Sequence, residues 1–592
     1  MISTPKEIND FATDQQNRLG NAANSQSQLG GEQERLPRIA TTLLLAAVGL
    51  IQAFAGRNMM NPDGIQYIEV ALNYAQRNWS SAVNAYWSPL YSWALGLVLQ
   101  IFRPSPSGEF VLVHLANFAI YLLALLSFSF FLNELILYQQ EITNSGRFVR
   151  VPTWVWQVFG YSLFLSSSLD LITLNMVTPD LVVSAFVYLI AGLLMRIRRG
   201  QVRWTSFAAL GFALGLGYLS KSAMFIFALI VLLVAFQLVR MQGIPVYRLV
   251  PAATLFLLVA IPLVAALSLQ KGQLTIGDTG KVAYLSSVNR LPSGYVHGVP
   301  SNPHLVFKHP PQRIYERPAA YQFGSVVLGS CPAWYDPSYW YDGMQLFFVP
   351  KNEVRALLKS VYGYAQILFL HQSSLLAGVL VLFFYIGNPQ QITKDISRLW
   401  YLLVPAVLLL GLYFLILVQD RYVGPFLVIL WCSLFFGARV EASPNAHRIK
   451  QAVLLGTACA LLATVGLRLA RDAVKGAPDR HDPNRQNWAL KDQEVAAELH
   501  KAGIGGGDKV AFIGDSIWVY WAHLAGIRIG AEIPEEDVDG FYEADSATRE
   551  SVMRAFAASG VKAVIADRFP PDMENGRWRQ LGTSGYYLYN LR

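Results

Sequence analysis

Long apolar runs recur along most of this sequence, and they constrain its fold more than any other feature. A helix needs about 20 apolar residues to cross a bilayer. The chain of 592 residues is 53% hydrophobic and 15% charged, whereas roughly 25% charged residues is usual in soluble domains. About eleven runs reach spanning length: 39–55, 110–132, 155–174, 181–197, 204–219, 224–239, 250–270, 361–386, 400–419, 423–438 and 452–469. The sequence therefore predicts a polytopic α-helical membrane protein.

The short loops between these runs indicate an orientation, because Lys and Arg stay on the cytoplasmic side of a membrane. Basic residues gather in alternate loops: Arg35 and Arg38; Arg147 and Arg150; Arg196, Arg198, Arg199 and Arg203; Arg240 and Arg248; Lys394 and Arg398; Arg439, Arg448 and Lys450. All these loops share one side if the N-terminus is cytoplasmic. The outer loops 56–109 and 271–360 then lie outside, together with the tail. We expect a multi-pass protein of the plasma (inner) membrane with an extracytoplasmic C-terminal domain.

The two ends of the chain differ from the middle. Residues 1–36 are rich in Asn, Gln, Ser and Gly and lack periodicity, so we expect a disordered cytoplasmic segment. Residues 37–470 form the expected membrane domain, and residues 471–592 a small α/β domain. Its predicted elements are strands at 509–513 and 561–566, helices at 518–525 and 551–558, and an edge strand at 586–591.

Ionisable residues stand at the outer ends of four separated apolar runs. Asp63 follows the first run, and Asp180 opens the fourth. Lys221 closes the fifth run, and Arg421 lies between the ninth and the tenth. The predicted topology brings all four residues to the outer face of the bilayer. Convergence of acids and cations at one depth predicts a functional site.

Each of these residues also has a purely structural explanation. Asp63, with Gln66 three residues later, fits a capping box, and Asp180 fits the acidic first turn of a helix. Lys221 and Arg421 could extend to the membrane interface while their stems stay in the bilayer. These alternatives remain open at the level of the sequence.

The four residues suit glycosyl transfer from a lipid phosphate. A carboxylate can take the proton of an acceptor hydroxyl as that hydroxyl attacks the anomeric carbon. The phosphate leaves as a stable anion, so the leaving group needs cationic stabilisation and no general acid. Arg offers a fork that matches phosphate oxygens, and Lys offers a mobile point charge. A polyprenyl tail on the donor would explain why such an enzyme needs a membrane body.

Five short motifs occur in the order found in a known superfamily. They are Asn-Pro-Asp-Gly at 61–64, Trp-Ser-Pro-Leu-Tyr at 87–91, Thr-Pro-Asp at 178–180, Gly-Tyr-Leu-Ser-Lys at 217–221 and Asp-Arg-Tyr-Val-Gly-Pro at 420–425. Over residues 39–438 the chain resembles the GT-C glycosyltransferases. It is most similar to the branch that holds the protein O-mannosyltransferases, the lipid A aminoarabinose transferase and the Rgt-type core sugar transferases.

The resemblance implies an activity and roles for the residues. It implies hexosyl or pentosyl transfer from a polyprenyl-phosphate-linked sugar to a hydroxyl of a glycan, lipid or protein on the outer face of the membrane. It makes Asp63 the catalytic base and Asp180 the second catalytic acid residue. It also implies that Lys221 and Arg421 bind the donor phosphate.

The second outer loop contains an aromatic segment from Trp334 to Tyr341. One interpretation is an aromatic belt at the membrane interface. The other is a surface for sugar rings or a lid over the site. In this interpretation, the candidate sugar or acceptor contacts are Trp334, Tyr335, Asp336, Tyr339 and Trp340.

Other function classes find less support in the sequence. It holds no CxxC or HExxH motif and no Gly-rich phosphate loop. No cofactor is predicted, although the sequence leaves a divalent metal ion open, and no nucleic-acid partner is expected. A lipid-linked substrate transporter or flippase would show repeats and midplane charges. That class and a non-catalytic membrane scaffold are the alternatives to a transferase.

Overall fold

Helices make up most of the chain in the computed structural model, which describes residues 39–144, 146–201, 203–291, 297, 306–324, 329–476, 488–568 and 577–591. The segment 1–36, which the sequence predicts to be disordered, lies outside the described residues. The described residues up to Ile51 fall in one compact unit, and those from Gln52 onward fall in another. Helix α1 (Ile39–Ala55) begins in the first unit. All elements from α2 onward belong to the second unit.

A first group of helices in the second unit precedes the second outer loop. These are α2 (Pro62–Ala75), α3 (Trp79–Ala82), α4 (Pro89–Phe102), α5 (Pro106–Thr143), α6 (Thr153–Leu165), α7 (Asp180–Arg198), α8 (Trp204–Ser220), α9 (Ala223–Met241) and α10 (Val250–Lys271). The helices of the loop and of the following apolar segments are α11 (Thr279–Ser287), α12 (Pro332–Tyr335), α13 (Pro337–Trp340), α14 (Pro350–Gln366), α15 (Ser373–Leu380), α16 (Pro389–Ile396), α17 (Trp400–Ile416), α18 (Asp420–Gly437) and α19 (Pro444–Gly476). The tail adds α20 (Trp488–Lys501), α21 (Tyr520–Ala525), α22 (Glu535–Glu543) and α23 (Ser546–Ala558).

Seven helical segments among the described residues are long and apolar enough to cross a membrane. They are Pro106–Thr143, Asp180–Arg198, Ala223–Met241, Val246–Lys271, Pro389–Ile416, Asp420–Gly437 and Pro444–Val474. The bent pair α14–α15 is an eighth candidate, and α1, α4 and α8 are shorter apolar helices. The chain is thus a multi-pass membrane protein, while the count of eleven spans stays a prediction.

The span predicted at 361–386 is not a straight helix. Its two halves meet at Gln372 with a bend of 81°. The break is held from both sides, because the Trp431 indole donates a hydrogen bond of 2.7 Å to Gln372 Oε1. His371 Nδ1 lies 2.8 Å from Asp170 Oδ2, in the π-helical turn Ser166–Ile172 that extends α6. Two irregular helical turns therefore contact each other through a polar pair.

Helix α7 is the most buried of the spanning candidates, with 89% of its apolar window inside the protein. Its sequence suits a helix at both ends, since Asp180 begins it and Arg196 lies in its last turn. Arg196 and Arg199 each pair with the buried carboxylate of Glu134 on α5 at 2.9 Å. These ion pairs fix the position of α7 along the axis of α5. They therefore also fix the position of Asp180, which lies at the opposite end of α7.

A seven-stranded sheet combines strands of the second outer loop with strands of the tail. The strands are β1 (Gln312–Tyr315), β2 (Ala320–Gln322), β3 (Lys509–Ile513), β4 (Arg528–Ile533), β5 (Ala563–Ala566), β6 (Trp578–Gln580) and β7 (Tyr587–Asn590), in the order β1-β2-β4-β3-β5-β7-β6. Strand β3 is parallel to β4 and β5, and the remaining neighbours are antiparallel. The sheet therefore does not belong to the tail alone.

The side chains of β3 alternate between two hydrophobic clusters, as the period of two in a strand requires. Val510 and Phe512 join a cluster that also contains Ile65 of α2 and Trp340 of α13. Ala511 and Ile513 pack on the other face with residues of α22 and α23. After Lys509 the central strand is apolar because both of its faces are covered.

The sequence located the strand at 509–513 with the bounds that the structure shows. The assignment of 586–591 to an edge was wrong, because β7 lies between β5 and β6. Strand β6 has only three residues, too few for an alternating pattern to predict it.

Candidate active site

Four chain segments converge at one place in the described structure. They are the N-terminus of α2, the N-terminus of α7, the junction of α8 and α9, and the N-terminus of α18. These segments carry Asp63, Asp180, Lys221 and Arg421 respectively. The four residues that the sequence proposed from separate runs thus lie in one cluster.

The cluster is an alternating chain of acids and cations. Arg421 Nη2 lies 3.0 Å from Asp63 Oδ2, and Arg421 Nε lies 3.7 Å from Asp180 Oδ2. Lys221 Nζ lies 2.7 Å from Asp180 Oδ1. Asp180 therefore stands between the two cations, and Arg421 stands between the two acids.

Burial distinguishes the two acids. The side chain of Asp180 is 3% exposed, whereas that of Asp63 is 21% exposed. An ion with so little access to water depends on its partners for stability. Asp180 is thus placed to hold Lys221 and Arg421 in position, and Asp63 is the acid that a substrate can reach.

Asp63 does not cap helix α2. The helix begins at Pro62 with Asn61 as its N-cap residue, and no side chain makes a capping hydrogen bond there. The capping explanation therefore fails for Asp63. Its Oδ1 instead accepts a hydrogen bond of 3.3 Å from the Trp334 indole. Each carboxylate oxygen has one donor and keeps a further lone pair.

Lys221 and Arg421 do not extend into bulk solvent, since their side chains are 15% and 16% exposed. Tyr422 lies between them. Lys221 Nζ is 3.4 Å from the centre of the Tyr422 ring, and Arg421 Nη2 donates to the Tyr422 hydroxyl at 3.3 Å. Gln419 Oε1 accepts a hydrogen bond of 3.1 Å from Arg421 Nε. The cations are therefore held in fixed positions within the protein.

A cavity of about 370 Å³ opens onto three of the four residues, Asp63, Lys221 and Arg421. Its apolar wall comes from α9, α11 and α17, with Ile226 and Ile416 among the contributing residues. Ile226 is also 40% exposed on α9, a spanning candidate. The cavity thus combines a charged end with an apolar wall that borders the membrane-facing surface.

The five residues proposed from the aromatic segment of the second outer loop separate into two groups. Trp334 lines the cavity and contacts Asp63. The other four do not line it. Tyr335 is buried and donates to the Ser81 carbonyl at 2.8 Å, and Trp340 donates to the Pro332 carbonyl at 2.6 Å. Asp336 caps α13 by accepting from Tyr339 N.

Tyr339 completes the second group, because its ring stacks on His309 at 4.4 Å. In the described structure these four side chains hold the loop together, and Trp334 is the member of the five that reaches the cavity. Tyr341, the last residue of the same aromatic segment, also lines the cavity.

Sequence reasoning missed Tyr86, Gln419 and Tyr422, which also line the cavity. Tyr422 and Gln419 flank the Asp-Arg pair at 420–421, so proximity to a recognised motif was the available signal. Tyr86 precedes the motif at 87–91 in the same way. The described residues contain no group of three or more His, Cys, Asp or Glu side chains that could hold a metal ion.

Comparison with known proteins places this geometry in a fold. No family model matches the chain, and no curated protein matches it by sequence. The chain is similar to ArnT from Cupriavidus metallidurans in the apo state, with a TM-score of 0.51, 10% identity, and coverage of 94% of this chain and 98% of ArnT. The same ArnT bound to undecaprenyl phosphate matches with a TM-score of 0.48, 10% identity and the same coverage.

An archaeal protein also matches. The apo oligosaccharyltransferase of Archaeoglobus fulgidus gives a TM-score of 0.48 and 12% identity, over 89% of this chain and 69% of that protein. ArnT and the oligosaccharyltransferase are both members of the GT-C fold. The likeness to apo ArnT confirms the resemblance seen in the sequence at the level of the fold, and the chain has a GT-C fold.

Proposed function

We propose that this chain is a membrane glycosyltransferase. It moves a hexosyl or pentosyl group from a polyprenyl phosphate to a hydroxyl of a glycan, lipid or protein at the outer face of the membrane. The observation that carries the proposal is one cavity that presents the carboxylate of Asp63 beside the cations Lys221 and Arg421. A transfer of this kind needs one general base and cationic groups that bind the departing phosphate.

Asp63 is the proposed general base. Its partly exposed carboxylate keeps one free lone pair on each oxygen, so it can take the proton of an incoming hydroxyl. The Trp334 indole fixes the orientation of Oδ1. The hydroxyl oxygen then attacks the anomeric carbon, and the bond from that carbon to the phosphate oxygen breaks.

Lys221 and Arg421 are the side chains proposed to bind the departing phosphate. Both are partly withdrawn from water, which strengthens their effect on charge that develops nearby. The Tyr422 ring against Lys221 and the Asp180 carboxylate between the cations keep them oriented before the donor arrives. Asp180 is thus proposed as a positioning residue.

The contact between Arg421 and Asp63 suggests an order of events. A donor phosphate and Asp63 Oδ2 compete for the same Arg421 Nη2. When the phosphate takes that donor, Asp63 loses its strongest hydrogen bond and becomes a freer acceptor. Donor binding would therefore prepare the base for the acceptor.

The apolar wall of the cavity supports a lipid-linked donor. The residues from α9 and α17 provide a surface for the first isoprene units, and Ile226 continues that surface toward the bilayer. The fold shared with ArnT, the lipid A aminoarabinose transferase, supports glycosyl transfer in general. The basic loops described above support placement of the cavity at the outer face.

Native mass spectrometry with undecaprenyl phosphate tests the donor assignment. Wild-type protein should retain the lipid, and Lys221→Ala and Arg421→Ala should each lose most of it. Lys308→Ala is the matched control, because Lys308 is 61% exposed in the outer loop and lies outside the cavity. Equal retention by all four proteins would remove the phosphate assignment.

A further inference from the structure

A second cavity lies on another face of α2. Its volume is about 280 Å³, and its walls are the C-terminal half of α2, residues 329–330 of the second outer loop and residues 523–528 of the tail. A helix rises 1.5 Å per residue, so Asn73 in this wall lies about 15 Å along α2 from Asp63. We refer to this second cavity as the α2–α21 cavity. It shares no lining residue with the cavity around Asp63.

Glu69 holds the three walls together. Its carboxylate accepts hydrogen bonds from Ser330 N at 3.0 and 2.9 Å, and from His523 Nδ1 at 3.2 Å. His523 Nε2 donates to Glu109 Oε1 at 2.7 Å. Burial lowers the pKa of His523, but the carboxylates of Glu109 and Glu69 outweigh it and raise the pKa to about 10. The imidazole is therefore charged at neutral pH, and the walls are fixed by an ionic network.

The lining of this cavity is mainly polar, and beside the charged Glu69, His523 and Arg528 it contains the side chains of Asn73, Gln76, Asn78 and Ser81. Leu72 and Ile527 supply its apolar side chains. The amide of Gln76 is exposed at the rim. Ser330 is 3% exposed, and its hydroxyl has no hydrogen-bond partner among the described residues. A buried hydroxyl without a partner is unusual, and Ser330 belongs to the wall of this cavity.

We propose that the α2–α21 cavity binds the carbohydrate of an acceptor glycan, at a sugar remote from the hydroxyl that is modified. Amides and hydroxyls donate and accept hydrogen bonds, as sugar hydroxyls do. The cavity does not suit a phosphate, because the acids Glu69 and Glu109 balance the cations His523 and Arg528. This inference rests on the proposed glycosyl transfer and names a part of its acceptor.

The position of the cavity fits this role. Helix α2 carries Asp63 at its start and the α2–α21 cavity along its second half, so one rigid element fixes the distance between them. A remote contact of this kind supplies binding energy that orients the reacting hydroxyl. The tail, which supplies residues 523–528, would then select the acceptor.

Saturation-transfer NMR on the full chain in phosphatidylcholine nanodiscs tests the inference. The probes are N-acetylglucosamine, mannose, galactose and galacturonate, each offered without donor. The variants are Ser330→Ala, which removes the unpartnered hydroxyl, and Gln76→Trp, which fills the mouth from an exposed position. The matched control is Gln580→Trp, an exposed residue of β6 outside the cavity.

We expect saturation transfer to at least one probe in the wild type and in Gln580→Trp, a weaker signal in Ser330→Ala, and loss in Gln76→Trp. Absence of transfer to every probe, or an unchanged signal in Gln76→Trp, would overturn the inference. Asp63→Asn should retain the signal, because its carboxylate does not line this cavity. A protein that binds sugars here but never consumes a lipid-linked donor would refute the proposed function and leave this site intact.

Discussion

Arg421 donates to Asp63 across 358 positions of sequence, with 3.0 Å between Nη2 and Oδ2. Arg421 is itself proposed to bind the phosphate, and it also contacts the proposed base. The two functions are therefore coupled through one side chain. A change at Arg421 therefore affects both the grip on the donor and the freedom of the base. This coupling makes the following variants distinguishable.

Lys221→Ala and Arg421→Ala should each weaken use of the donor while the acceptor dependence changes little. Both cations face the cavity at the place proposed for the phosphate. If they bind the phosphate more strongly as charge develops, kcat should fall together with the apparent donor affinity. Initial rates with varied donor at saturating acceptor measure this. A change confined to the acceptor's KM would assign the cations to acceptor binding.

Asp180→Ala should destabilise the protein by about 3–5 kcal/mol, because it leaves two partly buried cations without their shared acid. Its partners are Lys221 at 2.7 Å and Arg421 at 3.7 Å. Thermal unfolding in detergent measures the loss. Glu441→Ala is the control, since its ion pair with Arg147 is exposed and is worth at most about 1 kcal/mol. Similar melting temperatures for the two variants would argue against the positioning role of Asp180.

His523 should make the attachment of the tail depend on pH. Its pKa in the folded protein is about 10, above the ordinary value of about 6.5. The charged imidazole therefore stabilises the fold fully below pH 6.5, and the contribution declines as the pH rises toward 10. The gap in unfolding free energy between wild type and His523→Gln should narrow across this window, by up to about 1.4 kcal/mol per pH unit. A gap that stays constant or widens would show that His523 is neutral in the fold.

The orientation of the chain can be read with an impermeant thiol reagent on whole cells. A cysteine at Ser546 should react, because the tail is expected outside, and a cysteine at Ser25 should not. Cys459 is exposed in the structure and should first be replaced by Ser, whereas Cys331 and Cys432 are buried. Reaction of the cysteine at position 25 and protection of the cysteine at position 546 would show that the predicted orientation is inverted.

The sequence was sufficient to predict the helical membrane class and to single out four charged residues that the structure brings together. Spanning helices depend on local apolar length, and an isolated charge at the end of an apolar run is visible without a structure. Asp63 and Arg421 could be selected in this way. Their direct contact could not be predicted, since it depends on how α2 and α18 pack.

The relation between the tail and the outer loop was not readable from the sequence. Strands β1 and β2 have four and three residues and lie far from β4 along the chain. Gly476, Pro478 and Pro483 predict a linker at residues 475–487, and this segment lies largely outside the described residues. A shared sheet and the cluster that joins Ile65 to Phe512 arise from tertiary pairing, which local patterns do not encode. Similarly, four of the five candidates from the aromatic segment contact residues outside the cavity, because tertiary packing, and not residue type, decides where they lie.

Turnover of the copurifying lipid-linked donor by wild type and by Asp63→Asn tests the central claim most directly. The donor is first identified by mass spectrometry of the purified protein and then supplied with acceptor. Asp545→Asn is the matched control, because that carboxylate caps α23 and lies outside the cavity. Loss of a general base should lower the rate by about 10²–10⁴, with melting nearly unchanged, while Asp545→Asn should keep normal turnover. Turnover by Asp63→Asn close to that of the wild type would contradict the account.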